Sequence, residues 1–241
     1  MDKRYSTVLV APEKSKKLVN LLKQGNIEAD EVNSVALALA SYHKNVDIVR
    51  NAFDINGFQD KFREIERCRQ FIEELMDATY SEIIEQSIEL SNRFLNSLRL
   101  IIQERTIKGN MRNGHGNLSA SWIFLDDEIL IKQFEDNDER KIQVDVLNDL
   151  ARLGVDFDYY GQEDKGWLLF KTYMKNFGDE DNKNTRALYN YYKSFHINKI
   201  LIGLVDKTTV FHFSEDRKSL IRKYLKLYKE YFQQTENYLK Y

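Results

Sequence analysis

His196, Lys199 and Asp206 lie close together in the chain and combine an imidazole, an ammonium group and a carboxylate. Side chains of these types carry much of nucleophilic and acid–base catalysis. Asp145, Asp149, Asp156, Asp158 and Glu163 form an acidic stretch with Lys165 beside it, and grouped carboxylates can ligate a hard cation. Arg105, Lys108, Arg112 and His115 flank a glycine-rich segment, GNMRNGHGN, from Gly109 to Asn117. Backbone N–H groups freed by glycine, with cations next to them, can approach a phosphate.

His196-x-x-Lys199, then six residues, then Asp206 resembles the phospholipase-D-type phosphodiesterase motif. In that family a strand presents His-x-Lys, followed four residues later by Asp. The resemblance implies His196 as nucleophile and Lys199 as the group that holds phosphate. It covers residues 196–240 and departs from the motif at both gaps. On a strand, residues i and i+2 share a face while i and i+3 do not. The family also needs two such motifs, or a dimer sharing one site. The competing reading is structural: His196 ends a helix, where a partly charged imidazole suits the dipole, and Lys199 precedes a core strand. Asp156, Asp158, Glu163 and Lys165 resemble the PD-(D/E)xK nuclease pattern, which implies carboxylates on Mg²⁺ and a lysine steadying the attacking water. Glu163 to Lys165 sits in an expected turn between Gly161 and Gly166, where solvated charges normally occur.

For the loop at 109–117, the competing reading is a connection between domains with solvated ends. Gly114-His115-Gly116 lacks the third glycine and the preceding strand of a dinucleotide fingerprint. Walker-A, GxSxG, HExxH and paired CxxC sequences do not occur, so no cofactor and no metal are expected. The 36 basic and 38 acidic residues leave a net charge of −2. A protein that grips nucleic acid through its overall field should be visibly basic. Nucleic acid remains a possible partner only through a local patch, the one from Arg105 to His115.

The elements that must position these residues fall into two textures. A short strand is expected at Tyr5 to Val10, then a helix from Pro12 to Gly25 and another from Asp30, broken at Asn56-Gly57. From Phe58 to Lys108 there is neither glycine nor proline. Phe58, Phe62, Ile65, Ile72, Met76, Ile83, Leu90, Phe94, Leu98 and Ile101 recur at helical spacing, the stripe of a long helix or helical hairpin. Arg69 and Gln86 interrupt its seam. In the second half, Trp122 to Leu125 and Ile129 to Phe134 form an expected hairpin around Asp126-Asp127. Asp138 to Leu153 reads as a helix stopped by Gly154. Val155 to Tyr159 and Trp167 to Tyr173 alternate as strands, and Thr185 to His196 reads as a helix. Lys199 to Val205 and Thr209 to Phe213 form a second expected hairpin, and a last helix runs from Ser214 to Tyr241.

The fold class expected is therefore α+β. A helical domain spans 1–108, a Gly/Asn-rich linker 109–120, and a mainly antiparallel α/β domain 121–241. The single Cys68 suits a reducing compartment, and the N-terminus has too short an apolar run for a signal peptide. No run approaches a membrane span, so a cytoplasmic location and no membrane contact are expected. The preferred functional reading is a non-enzymatic interaction or regulatory protein. It would self-associate, or bind a protein partner, through residues 58–108, because a stripe that long exceeds what its own chain should cover. The alternative is a phosphodiesterase or nuclease with a degenerate His/Lys/Asp or acidic site.

Overall fold

A computed structural model describes residues 16–51, 53–76, 78–133, 143–206 and 214–240. The strand expected at Tyr5 to Val10, Pro12, the start of the helix expected at Asp138 and the strand at Thr209 to Phe213 lie outside the described residues.

α1 (Leu18–Gln24) stops at Gly25, whose φ of 71° lets its N–H reach the carbonyls of Leu21 and Leu22, a left-handed cap that favours glycine. α2 (Ala29–Asn45) opens with a Glu28/Glu31 capping box and buries Val32, Val35, Ala36, Leu39 and Ala40, close to the expected face. Asn56-Gly57 does not break a helix. It lies in the first turn of α3 (Ile55–Arg63), where the Asp54 carboxylate accepts from the Gly57 N–H at 2.9 Å.

The long apolar stripe is not one helix. α3 passes through a 3₁₀ turn (Glu64–Cys68) into α4 (Arg69–Leu75), and the chain folds back at Met76 into α5 (Ala78–Ser97), then α6 (Arg99–Ile107). α4 packs on α5 as a helical hairpin, and the seam polar residue Arg69 bonds across it to Glu85 at 2.7 Å. Most of the ridge is buried within the single chain, with Phe58, Met76 and Ile101 half-buried. Ile65, Ile72, Ile83 and Ile84 share a core cluster with Ile197, Leu201, Ile221 and Tyr228, more than a hundred residues later. Phe62 and Phe94 stack on Tyr191. Much of the stripe is thus covered by its own chain.

β1 (Met111–Asn113) pairs antiparallel with β4 (Gln143–Asp145), and β2 (Ile123–Leu125) with β3 (Ile129–Ile131) in the expected hairpin. The rest of the described second half is helical: α7 (Val146–Tyr159), α8 (Glu163–Phe177), α9 (Lys183–Asp206) and α10 (Glu215–Lys240). The strands expected at 155–159, 167–173 and 199–205 are helical, and the expected α/β domain reduces to two short antiparallel ladders. The reason is burial on several sides. α7 buries every residue from Val146 to Asp158 except Arg152, and α9 buries every residue from Tyr191 to Asn198. A helix enclosed all round loses its single stripe, and alternating apolar residues then mimic a strand. Gly154 does not end α7 either. A Cβ there would overlap the Tyr189 hydroxyl and lie 2.9 Å from Lys193 Cε, so glycine admits α9 against α7. Gly166 performs the same service for α8 against Phe157. Hydrophobic residues on both sides of Gly109–Ala120 belong to one cluster that runs from Leu18 to Phe195. Among the described residues, no helix is long and apolar enough to cross a membrane.

Because the stripe is covered from within, truncating it should cost stability in the isolated chain. Phe94→Ala, at a fully buried ring, should lower unfolding free energy by about 3–5 kcal/mol. Leu100→Ala, at a side chain 77% exposed on α6, should stay within about 0.5 kcal/mol of the parent. Urea titration of both variants checks this.

Candidate functional site

The residue types singled out for chemistry are mostly turned inward. Asp145 ends β4 and caps α7, accepting from the Leu147 N–H at 2.9 Å. Arg105 grips the same carboxylate with two bonds of 2.7 Å and reaches Asp179 at 2.6 Å. Burial opposes the guanidinium's charge, but Asp145 and then Asp179 outweigh it and raise its pKa. Asp149 accepts from the His115 N–H at 2.6 Å and faces His43 at 3.4 Å. Asp156 is held by Arg152 and the Ala120 N–H. Asp158 is held by Lys193 at 2.8 Å and by the Tyr231 hydroxyl. Lys193 itself lies among the rings of Trp167, Tyr189 and Tyr231.

These positions dissolve the three expected constellations. On helix α7, Asp156 and Asp158 are two residues apart and face different ways, each with its own cation. Lys165 donates to the Ile27 carbonyl at the base of α8, and Glu163 is exposed in the first turn of that helix. Among the described residues no group of three His, Cys, Asp or Glu side chains is placed to hold a metal ion. His196 is not at a helix end but deep in α9, 1% exposed, its Nε2 2.9 Å from both the carbonyl and the side-chain oxygen of Asn148. Those acceptors put the proton on Nε2. Burial pushes its pKa well below the ordinary value, and the charges of Lys199 and Arg152 add to that. Asp206 closes α9, about 15 Å along the helix axis from His196. The trio is therefore spread over three turns rather than gathered. In the basic loop, Arg105 is buried, Lys108 pairs with Glu104 on an exposed face, and Arg112 donates to the carbonyls of Gly109, Lys44 and Val46. Only its edge faces outward.

What the structure does bring together is a cleft of about 510 Å³ between α3 and α9, within the usual range for small-molecule sites. One stripe of α9, formed by Tyr192, Phe195, Lys199, Ile202 and Gly203, makes one wall. Phe58 and Lys61 of α3, with Phe53 before them and Glu64 after, make the other. His115, Gly116 and Asn117 of the glycine-rich loop and Gln143 to Asp145 of β4 contribute the floor, with Asn148 of α7 behind. Phe58 is the hinge of the aromatic lining, with ring centroids 4.1 Å from Phe195, 5.3 Å from Phe53 and 5.8 Å from Tyr192. Tyr192 is fully buried, and its hydroxyl has no hydrogen-bond partner among the described residues. Burial, then the charge of Asp145, raises its pKa well above the ordinary value, so it stays a neutral donor. Burial likewise pushes His115 below its ordinary value, against the pull of Asp149.

Lys199, His115 and Asp145, one from each expected constellation, thus line the same cleft. Tyr192, Phe58, Phe195 and Lys61 were missed. For Tyr192 and Phe195 the signal is the 192/195/199/202 spacing, hidden where the sequence predicts a helix end at His196. No protein-family model and no curated protein matches this chain, so the cleft must be read from its own chemistry.

Arg105→Met would leave Asp145 and Asp179 without their shared cation and should destabilise the fold by about 3–5 kcal/mol, read by chemical denaturation. The two depressed imidazoles set a pH dependence. His115 and His196 stay neutral in the folded chain but take up protons near pH ~6.5 when unfolded. The unfolded state then binds more protons, so stability falls as pH drops below ~6.5, by up to about 1.4 kcal/mol per pH unit for each group. Urea midpoints between pH 7.5 and 5.5 should show this slope, and His196→Gln should reduce it.

Proposed function

We propose that this chain is a non-enzymatic regulatory protein that binds a small organic molecule in the cleft between α3 and α9. The observation that carries the reading is the cleft itself, about 510 Å³ with Phe53, Phe58, Tyr192 and Phe195 in its walls beside the polar side chains of Lys61, Asn117 and Gln143. The aromatic lining supplies area for an apolar body, and the polar residues around it supply orientation. A ligand seated there would bridge α3 and α9 and tie the helical hairpin to the central helix. A protein partner sensitive to that state would complete the regulation, in the reducing compartment that a single buried Cys68 suits.

Two earlier expectations lose their motive on this reading. Self-association along residues 58–108 rested on an uncovered ridge, and the large apolar side chains left exposed there are Leu100 and Ile107. A phosphodiesterase using His196 would need its imidazole at a solvent-reachable surface, and the ring is enclosed.

Gly203 offers a direct test, since a Cβ added there meets nothing within 4 Å among the described residues. Gly203→Leu should raise folding stability by somewhat under ~1 kcal/mol through helix propensity while filling one end of the cleft. In a thermal-shift screen against a metabolite library, the parent should be stabilised by at least one compound, by about 2.7 kcal/mol at a hundred times its Kd. The variant should lose that shift. A library without a single stabilising compound, or a shift unchanged in Gly203→Leu, would overturn the proposal.

A further inference from the structure

We infer that the cleft takes a neutral, flat heterocycle with an amide edge, a carbonyl beside an N–H, either within the ring or attached to it. This rests on the ligand-binding reading above and names the ligand's chemistry.

The donor that carries it is the Asn148 side chain, in the first turn of α7. Asn148 is 4% exposed and lines the cleft. His196 Nε2 lies 2.9 Å from both the Asn148 carbonyl and its Oδ1. A backbone carbonyl only accepts, so Nε2 carries the proton and the amide turns its oxygen to the imidazole. The Asn148 NH₂ then faces away from that ring. It has no hydrogen-bond partner among the described residues, and it is not one of the enclosed unpaired atoms. Its opening is the cleft, and a ligand acceptor would complete it.

Two more amides, Asn117 of the glycine-rich loop and Gln143 of β4, line the same cleft half-buried. Neither side chain has a hydrogen-bond partner among the described residues. An amide end presents a donor and an acceptor side by side. Its complement is an edge that also carries both, the pairing by which Asn and Gln grip adenine. The flat body follows from the opposite wall. Phe53, Phe58 and Phe195 form a run of rings, with centroids 5.3 and 4.1 Å from Phe58. A planar ring extends that run through the same offset and tilted contacts.

Neutrality follows from what the floor presents to a charge. Arg105 is buried and already serves two carboxylates, Asp145 and Asp179, which leaves no cation there for an anion. His115 is committed too. Its Nδ1 accepts from the Asn117 N–H at 3.3 Å and its Nε2 donates to the Lys132 carbonyl at 3.0 Å, an uncharged tautomer. The other charged side chains of the cleft, Lys61, Glu64 and Lys199, are exposed at its rim, where water screens them. A charged group placed against the amides would lose its hydration without a buried counter-charge.

Ligand-observed NMR titration of the full chain tests this on two rings. Nicotinamide is compared with nicotinate and 3-methylpyridine, and uracil with orotate and pyrimidine. Glucose stands for a non-aromatic ligand read by the same amides. Nicotinamide or uracil should bind at least tenfold more tightly than its own acid and its own edgeless ring, and more tightly than glucose. Gln143→Ala should weaken that compound about tenfold with the urea midpoint unchanged. Asn148→Asp keeps the oxygen that His196 needs and replaces the NH₂ with a second oxygen, so it should abolish binding. Should that variant fail to fold, Gln143→Ala decides alone. An acid or an edgeless ring that binds as well, tighter binding of glucose, or full affinity in Gln143→Ala would overturn the assigned class while the cleft still held a ligand. Failure of both nicotinamide and uracil would also overturn it. If the metabolite library produced no shift as well, the ligand-binding reading would fall with it.

Discussion

Asp145 is where a strand ends, a helix begins and a buried arginine is neutralised, and those three roles cannot be separated. An unpaired carboxylate in the interior would be prohibitively costly, so the position of Asp145 demands Arg105, brought there by the last turns of α6. The guanidinium's other arm needs Asp179, which follows Gly178 at the end of α8 and is held in turn by the Asn110 amide at 3.1 Å. The Val146 N–H donates to the Asn110 carbonyl at 3.0 Å, closing the circuit through the backbone. One ion pair thereby sets α6, β1, β4, α7 and the end of α8 relative to one another. The cleft inherits its floor from this arrangement, because β4 can present Gln143 to Asp145 only where the pair holds it.

The central helix repeats the logic at larger scale. Residues 191–198 of α9 have no solvent face, and several of their polar groups are met from neighbouring elements: Tyr191 by Ser91 at 2.7 Å, Lys193 by Asp158, His196 Nε2 by Asn148, the Asn198 amide N–H by the Phe62 carbonyl. Each contact comes from a different helix or turn, or from a different point along one. The hydroxyls of Tyr189 and Tyr192, the Asn190 and Asn198 amide oxygens and His196 Nδ1 are the exceptions, enclosed and without a hydrogen-bond partner among the described residues.

Much of the fold could be read in the sequence wherever a helix has one wet side. α1 with its glycine stop, α2, the 123–131 hairpin and α10 with its start after Ser214 all follow the usual signals of stripe, cap and turn. Legibility failed for α7, α8 and α9. α7 and the middle of α9 are enclosed on several sides and fit each neighbour, so Val155, Phe157 and Tyr159 alternate without being a strand. α8 buries a single face of Gly166, Leu169, Phe170, Tyr173 and Met174, a helical stripe that the alternation of Trp167 and Leu169 masks. Glycine misled in the same places. Gly154 and Gly166 look like punctuation, yet they serve close helix crossings, and nothing local distinguishes the two uses. The stripe at 58–108 was legible as helix and as hairpin but not as self-covered, since its cover lies in α9 and α10, far along the chain.

The site was legible in fragments only. Lys199, His115 and Asp145 drew attention by residue type, and all three reach the cleft, but the motifs that grouped them with other residues were accidental. Spacing rules for catalysis presuppose an element, and a wrong element moves every partner: on a strand Lys199 opposes His196, whereas on α9 the same interval places them a turn apart, one in the core and one at the surface. The aromatic residues were harder still to see, because a phenylalanine lining a cleft and one filling a core have the same signature in sequence. A tyrosine in a core normally finds a hydrogen-bond partner, and here Tyr191 and Tyr228 find Ser91 and Ser87 on α5. The hydroxyls of Tyr189 and Tyr192 have no such partner among the described residues, and Tyr192 lines the cleft formed with α3. The function proposed for this protein therefore rests on the cleft as a whole, where α3, the glycine-rich loop, β4 and α9 meet.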